Sequence, residues 1–453
     1  MYSVQELVAR SKVAQKQFEF VNQETADAAA KAICKVVYDN REEMGRLAAE
    51  ESRMGKVEDK IAKCKNKSSQ IWTSIKNRPS VGIIERDEEH KIMKVAKPMG
   101  VVASIVPSTN PIVTPMSNAA FALKCRNSVI FAPHPRAVQC TQLLVEKFRA
   151  ELKKLGLPED LVLTLDHVSN EDSAELMASA DVVVATGGSG MVKAAYSSGR
   201  PALGVGQGNV QCIVDRDVDL DDAADKIITG RSFDNGLICL GEQTAFVPQE
   251  KYDDFVAAFK RQGGYFIDDD ETVAKMRECI FPNGGAISRD VVGLTAAQVA
   301  KLIGLEVPAD TRVLGVKVEK IAENEDLCRE KLCPVLAVKG YDTWEDGVAM
   351  MVADLENEGK GHSVAVHSNS QEHVEYAAIQ CSVSRCVVNQ PSGTTGGGSP
   401  FNGFTPTTTL GCGSWGGNSF SGNFDMVHLM NITRIGYPWE KPWLEKAEDA
   451  WVD

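Results

Sequence analysis

Positive charge is in short supply. Lysine and arginine number 49 against 62 acidic residues, a formal charge of −13. Phosphate backbones and anionic membranes need a basic footprint, so neither a nucleic acid nor a membrane is expected as partner. A local basic pocket for a small anion is still compatible with this charge. No run approaches the roughly 18 apolar residues of a membrane span. The first residues, MYSVQELVARSKVAQKQF, are mixed in charge and lack the apolar stretch of a secretory leader. No C-x-x-C occurs among the 12 cysteines, and Cys328/Cys333 and Cys381/Cys386 fall in apolar runs. No metal site is expected, and the thiols are expected to be free, mostly buried and in a reducing cytoplasm. Room remains for one reactive cysteine. Aromatic residues make up only 6% of the chain, whereas glycine reaches 37 residues. The glycine excess is a first sign of loops that press backbone against a ligand.

At 453 residues the chain is long enough for two or three domains of roughly 150 residues each. Residues 3–76 have apolar positions at helical spacing, such as Ala29, Ile33, Val36 and Val37. Residues 81–95 suggest two short strands about an acidic turn, either a subunit-contact arm or a plain surface ribbon. The pattern then alternates. VVASIVP, SVIFAP, LVLTLD and DVVVATGG are strand-like, with helical segments at 115–125, 136–155, 171–179 and 190–198 between and after them. This alternation predicts a parallel, doubly wound α/β sheet, whose ligands sit at the carboxyl ends of its strands. A second α/β region follows: FVPQEKYDDFVAAFKRQGG begins as a strand and continues as a helix, VLGVKV, VLAVKGY, HSVAVHS and SRCVVNQ are strand-like, and helices lie at 272–280, 292–303 and 344–357. The lobe boundary is expected near 215–230.

Several motifs offer chemistry. Cys239, in SFDNGLICLGEQ, follows a glycine turn whose exposed N–H groups lower a thiol pKa and bind an oxyanion; the alternative is one more buried cysteine. Asn110 lies past the first strand, and Pro111 holds it extended. Its amide either faces the cleft or caps the next helix. Gly187, Gly188 and Gly190 follow a strand and open a helix, and Gly204, Gly206 and Gly208 close the next segment. Neither set is the G-x-G-x-x-G fingerprint, so turn chemistry and backbone approach to a pyrophosphate both fit. His134-Pro135-Arg136 stands where an adenosine ribose sits in such folds, and Arg136 suits a 2′-phosphate. His362, in GKGHSVAV, is either structural or catalytic.

Together these segments resemble the CoA-acylating branch of the aldehyde dehydrogenase superfamily. The likeness covers nearly the whole chain, in order, through VPSTNP, APHPRA, ATGGSGMVKAAYSSGRPALGVGQGN, ITGRSFDNGLICLGEQ, CREKLCPVL, NEGKGH and PTTTLGCGSWGGNS. It implies a Rossmann-type cofactor lobe (1–215, including the 81–95 oligomerisation hairpin), an α/β catalytic lobe (216–415) and a C-terminal segment (416–453) returning to the cofactor lobe. It implies Cys239 as nucleophile, Asn110 and the Cys239 N–H as oxyanion hole, and His362 as proton-transfer or channel residue. Ser108, Thr109, His134, Pro135, Arg136, Gly187, Gly188, Gly206, Glu330 and Leu332 would bind NAD or NADP. The co-substrate would be coenzyme A, and the assembly a homodimer or homotetramer. Hydrolytic members carry a water-activating glutamate that maps near Val205, where this chain has no carboxylate. A thioester on Cys239 would then pass to the thiol of coenzyme A rather than to water.

Within that branch, VVNQPSGTTGGG and FNGFTPTTTLGCGSWG are most similar to the CoA-dependent succinate-semialdehyde and acylating sulfoacetaldehyde enzymes. The aldehyde dehydrogenase part of bifunctional aldehyde-alcohol dehydrogenases is similar too. An anionic aldehyde is expected, met by Ser384, Arg385, Ser392, Thr394 and Thr395; the alternative for Arg385 is a structural residue at a strand end. Acetaldehyde or another short aldehyde is the alternative substrate, and a non-enzymic dinucleotide-binding scaffold the alternative role.

Overall fold

A computed structural model describes residues 2–444 and 446–452. Four helices open the chain: α1 (Val4–Phe18), α2 (Gln23–Asp39), α3 (Arg41–Ser52) and α4 (Val57–Ile75). Ser3 starts α1 with a capping box shared with Glu6, and the Asn22 side chain caps α2. Such caps satisfy the unpaired N–H groups of a first turn.

The first sheet has five parallel strands: β3 (Val101–Ile105), β4 (Ser128–Ala132), β5 (Val162–Thr164), β6 (Val182–Thr186) and β7 (Ala202–Val205). Their order is β5-β4-β3-β6-β7. Helices α5 (Val113–Lys124), α6 (Val138–Lys154), α7 (Asn170–Ser179) and α8 (Ser189–Tyr196) connect the strands. Every residue of β3 and β4 is buried, which is why these segments are so uniformly apolar. One face packs with Val102, Val129 and Phe131 against α2, α4, α5 and α6; the other packs Ala103, Ile105 and Val183 against α1 and α7.

The second sheet has seven parallel strands: β8 (Val210–Val214), β9 (Glu242–Pro248), β10 (Gly264–Ile267), β11 (Val313–Lys317), β12 (Val335–Tyr341), β13 (Val364–His367) and β14 (Cys386–Val388). Their order is β10-β11-β12-β9-β8-β13-β14. Helix α9 (Leu220–Ser232) follows β8. The chain therefore changes sheets between Val205 and Val210, ahead of the division expected at 215. A cut at 215 would place β8 with the first lobe, whereas its hydrogen bonds run to β9 and β13. Strands β7, β8 and β10 carry little sequence signal, since they have only four or five residues each and β7 and β10 contain glycine.

The anticipated hairpin is present as β1 (Gly82–Asp87) and β2 (Ile92–Pro98). A short pair, β15 (Leu410–Cys412) and β16 (Ser421–Asn423), precedes the last strand, β17 (Met430–Gly436), which pairs with β2 along its whole length. The result is a three-stranded antiparallel ribbon that carries exposed Ile83 and Ile435.

Candidate active site

Strand direction decides what reaches the site. In the first sheet, the loops that follow β3, β4 and β6 carry Asn110, His134–Arg136 and Gly187–Gly188 at the carboxyl edge. The strand order turns around β3, so this edge holds the switch-point crevice. In the second sheet the opposite edge is used. Gly208 precedes β8, Cys239 precedes β9, Glu330 and Leu332 precede β12, His362 precedes β13 and Arg385 precedes β14. All seven strands are parallel, so their starts share one edge.

A cavity of about 130 Å³ is lined by Cys239, Asn110, Lys63, Lys67, Ile238 and Thr394, among others. Asn110 and Cys239, from different lobes, thus meet at one space, with Cys239 partly exposed. Gly208 underlies the nucleophile loop: a Cβ there would collide with the carbonyl of Cys239. Burial pushes the Cys239 thiol up to about 12, with the Glu330 charge adding to the rise and Arg385 opposing it.

Helix α4 supplies the wall across from Cys239. Lys60, Lys63 and Lys67 lie on one helical face through their three- and four-residue spacing. Burying one unpaired ammonium costs on the order of several kcal/mol, so two lysines side by side need a carboxylate. Asp234 supplies it: its Oδ2 lies 2.5 Å from Lys63 Nζ and 3.1 Å from Lys60 Nζ. Lys63 Nζ also donates to Asn110 Oδ1 at 2.7 Å. Burial, followed by the neighbouring Lys63, pulls Lys60 down to about 8. The same causes bring Lys67 to about 8. Lys67 donates to the carbonyl oxygen of Gly397 at 2.8 Å, and no carboxylate stands within ion-pair distance of it among the described residues.

A second cleft, of about 570 Å³, runs between the lobes past Tyr196, Gly206, Gln207, Glu358, Gly359 and Trp415. A Cβ at Gly206, on the wall of that cleft, would meet nothing, so backbone is bare to the space there; Gly188, whose Cβ position is also open, is the N-cap of α8. That cradle fits a dinucleotide pyrophosphate. Glu330 is buried beside it; burial and then the charge of Glu358 push its carboxyl up to about 8. The Glu330 N–H donates to Glu358 at 3.2 Å, and Gln207 hydrogen-bonds the same carboxylate. Leu332 takes a left-handed φ of 44°. Ser108 and Thr109 are half-buried in the Asn110 loop, and Thr109 lies 3.5 Å from the Asn110 amide nitrogen. His134 is half-buried, while Pro135 and Arg136 are exposed. Burial, helped by Arg136 and Arg289, holds the His134 imidazole below its usual pKa.

The expected anion pocket is redistributed. Thr394 lines the cavity, but the Arg385 guanidinium does not. Arg385 is buried and donates to Ser363 Oγ, to Asn423 Oδ1 and to the carbonyls of His362 and Gly411, at 2.9, 3.3, 2.8 and 3.0 Å. Those bonds tie the starts of β13 and β14 to β15 and leave the cation turned away from ligand. Ser392 is buried with its N–H on Glu242, and Thr395 bonds the carbonyl of Pro391. The Ser384 and Ser392 hydroxyls are buried without partners. His362 is fully buried, both ring nitrogens lack a partner among the described residues, and burial holds its imidazole neutral. Lys63, Lys67 and Asp234 were not singled out from the sequence, and Gly208 was read only as a turn or pyrophosphate-approach glycine. The available signal was four lysines in eight residues (60, 63, 65 and 67) of an acidic chain.

Residues 2–264 match the aldehyde dehydrogenase family. Over 449 residues, 99% of either chain, the sequence is 49% identical to the succinate-semialdehyde dehydrogenase (acetylating) of Clostridium kluyveri. It is 40% identical over 432 residues to the sulfoacetaldehyde dehydrogenase of an Acholeplasma species, covering 94% of this chain and 89% of that one. The crystal structure of an acetylating aldehyde dehydrogenase from Geobacillus thermoglucosidasius superposes with a TM-score of 0.93 at 34% identity, covering 98% of both chains.

Proposed function

The chain belongs to the aldehyde dehydrogenase family, and from that premise we propose a CoA-acylating reaction on a short aldehyde that ends in an anion. Aldehyde, coenzyme A and NAD(P)+ become acyl-CoA, NAD(P)H and a proton. The observation that carries the anionic substrate is Lys67, a cation without a carboxylate on the wall of the cavity that reaches Cys239. Relatives named for succinate semialdehyde and sulfoacetaldehyde, both with anionic tails, point the same way.

In this reading Cys239 loses its proton, and its sulfur adds to the aldehyde carbon. Asn110 Nδ2 and the Cys239 N–H donate to the resulting oxyanion; one such donor is typically worth about 3–4 kcal/mol. NAD(P)+, when bound, supplies the hydride acceptor, and Gly187, Gly188, Gly206, Glu330 and Leu332 would hold it with Ser108, Thr109 and His134–Arg136. Loss of hydride from the adduct carbon leaves a thioester on Cys239. The sulfur of coenzyme A then adds to the thioester carbon and its proton departs. Collapse of that adduct breaks the bond to Cys239 and returns the thiolate. Val205 is a buried strand residue with an apolar side chain, so the place where hydrolytic relatives activate water lacks a base. His362, neutral and with no ring partner among the described residues, is the residue we assign to hydrogen-bond an incoming thiol.

We assign the β1-β2-β17 ribbon, with its exposed Ile83 and Ile435 and with Trp439 just beyond β17, to contact with a second copy of the chain. A reducing compartment suits the free Cys239 thiol.

The test is kcat/KM for succinate semialdehyde, sulfoacetaldehyde, acetaldehyde and butyraldehyde with coenzyme A and either nicotinamide cofactor. Acyl-CoA formation that disappears in Cys239→Ala and favours the anionic aldehydes is expected. Preference for the neutral aldehydes would remove the anion site. CoA-independent release of free acid would overturn the acyl-transfer reading.

A further inference from the structure

Asn110 is a primary amide, and its two orientations, related by a half-turn, are nearly the same shape. Only one serves an oxyanion. With Nδ2 toward the cavity it donates; with Oδ1 there it repels. The surroundings must therefore choose.

Lys63 makes the choice. Its ammonium carries three donors and no acceptor, so the atom it meets on Asn110 at 2.7 Å must be the oxygen. The amide nitrogen then faces away from α4, and its one contact among the described residues is the long 3.5 Å approach to Thr109 Oγ1. It is free to donate to a ligand.

Lys63 is itself held. Asp234 is fully buried five positions before Cys239, in a left-handed conformation with φ 50° and ψ 40°, a region that Asp tolerates better than most residues. Its Oδ1 accepts the Lys56 N–H at 2.9 Å, and its Oδ2 accepts Lys60 and Lys63. Its own N–H donates to Asp59 at 2.8 Å. Gly55, at φ +78°, leaves the carboxylate room, since a Cβ there would overlap it. One carboxylate thus joins the segment leading to Cys239, helix α4 and, through Lys63, the Asn110 loop of the first lobe.

We propose that Lys63, anchored by Asp234, is a positioning residue that sets the Asn110 amide for the oxyanion. The inference rests on the acyl-transfer reading above. Neither Lys63 nor Asp234 has to touch the reacting carbon.

The test is a double-variant cycle on the full chain with coenzyme A, the preferred nicotinamide cofactor and propionaldehyde. That aldehyde is neutral, so losing a cation does not alter its attraction to the pocket. Lys63→Met is expected to lower kcat about a hundredfold, the scale of one oxyanion donor, with KM within about twofold. Lys63→Arg should recover most of the loss. Combining Lys63→Met with Asn110→Ala should cost no more than Asn110→Ala alone, because residues acting as a unit are not additive. Losses that multiply in the double variant, or full kcat in Lys63→Met, overturn the proposal. Lys60 still neutralises Asp234 in Lys63→Met, so the variant is expected to fold. If its melting curve says otherwise, Lys63→Leu takes its place in the same cycle, with Lys63→Arg, which carries donors and no acceptor, kept as the rescue. Turnover by the unaltered chain reports on the acyl-transfer reading separately from the ratios between variants.

Discussion

Gly208 packs so closely on Cys239 that a single added methyl group would overlap the cysteine carbonyl. Gly208 belongs to the segment that crosses from the first sheet to the second, and Cys239 to the loop that enters β9. The nucleophile's backbone therefore rests on the lobe crossover. Gly208→Ala must displace this loop, and a displacement near 1 Å costs about a hundredfold in rate. The expected outcome is that loss in kcat, with cofactor binding retained by fluorescence titration. Unchanged kcat would mean that the loop yields without moving the sulfur.

Much of this fold is written as period. The helices of the first 76 residues and β3, β4 and β6 follow from apolar spacing, because each buries a stripe or a whole strand. The strands β7 and β8 do not, since Gly204 and the glycines at 206 and 208 look like turn chemistry until the hydrogen bonds place them. The site divides the same way. Cys239 and Asn110 stand beside turn and proline signals that give their side chains a reason to be presented. Lys67 and Asp234 have no such signal, because a lysine-rich helix face usually means solvent, and only tertiary packing turns this one inward. Arg385 misleads for the converse reason. A cation in a Gly- and Ser-rich neighbourhood suggests an anion, but the carbonyls of His362 and Gly411 and the side chains of Ser363 and Asn423 occupy it.

Lys67 is the residue expected to set substrate charge. A charge-assisted hydrogen bond is worth roughly 1.5–3 kcal/mol, so Lys67→Met should lower kcat/KM for succinate semialdehyde about ten- to a hundredfold. Butyraldehyde, lacking the tail charge, should change by less than about threefold. Burial, then Lys63, brings Lys67 to about 8, so the free enzyme loses this charge as pH rises through that value. The preference for the anionic over the neutral aldehyde is expected to decline above pH 8. A preference flat from pH 7 to 9.5 would assign recognition to another group.

The resting thiol of Cys239 is expected to be protonated at neutral pH. Burial and then the charge of Glu330 raise it to about 12, against an ordinary value of 9.0. Only the thiolate alkylates, so reaction of Cys239 with iodoacetamide should climb about tenfold per pH unit from 7 to 10, without a plateau. Peptide mass spectrometry separates it from the other cysteines. A plateau below pH 9 in the ligand-free enzyme would show a thiolate already stabilised before any ligand arrives.

Glu242 links stability to pH. It is fully buried at the start of β9; one oxygen accepts the Ser392 N–H at 2.7 Å and the other has no partner. Burial pushes its carboxyl from 4.5 up to about 8. Between those values the folded chain keeps a proton on Glu242 that the unfolded chain has released, so this residue's contribution to stability is greatest below 4.5 and falls as pH rises toward 8. Glu242→Gln keeps an acceptor for Ser392 and cannot ionise. Its melting temperature should match the wild type at pH 5 and exceed it at pH 8.5, with the gap opening across that window. The turn at Ser392–Thr395 carries Thr394 to the cavity wall, so the wild type should also lose activity by slow inactivation at pH 8.5 while the variant holds. A gap that is the same at both pH values would mean that the Glu242 carboxyl titrates no differently in the folded chain than in the unfolded one.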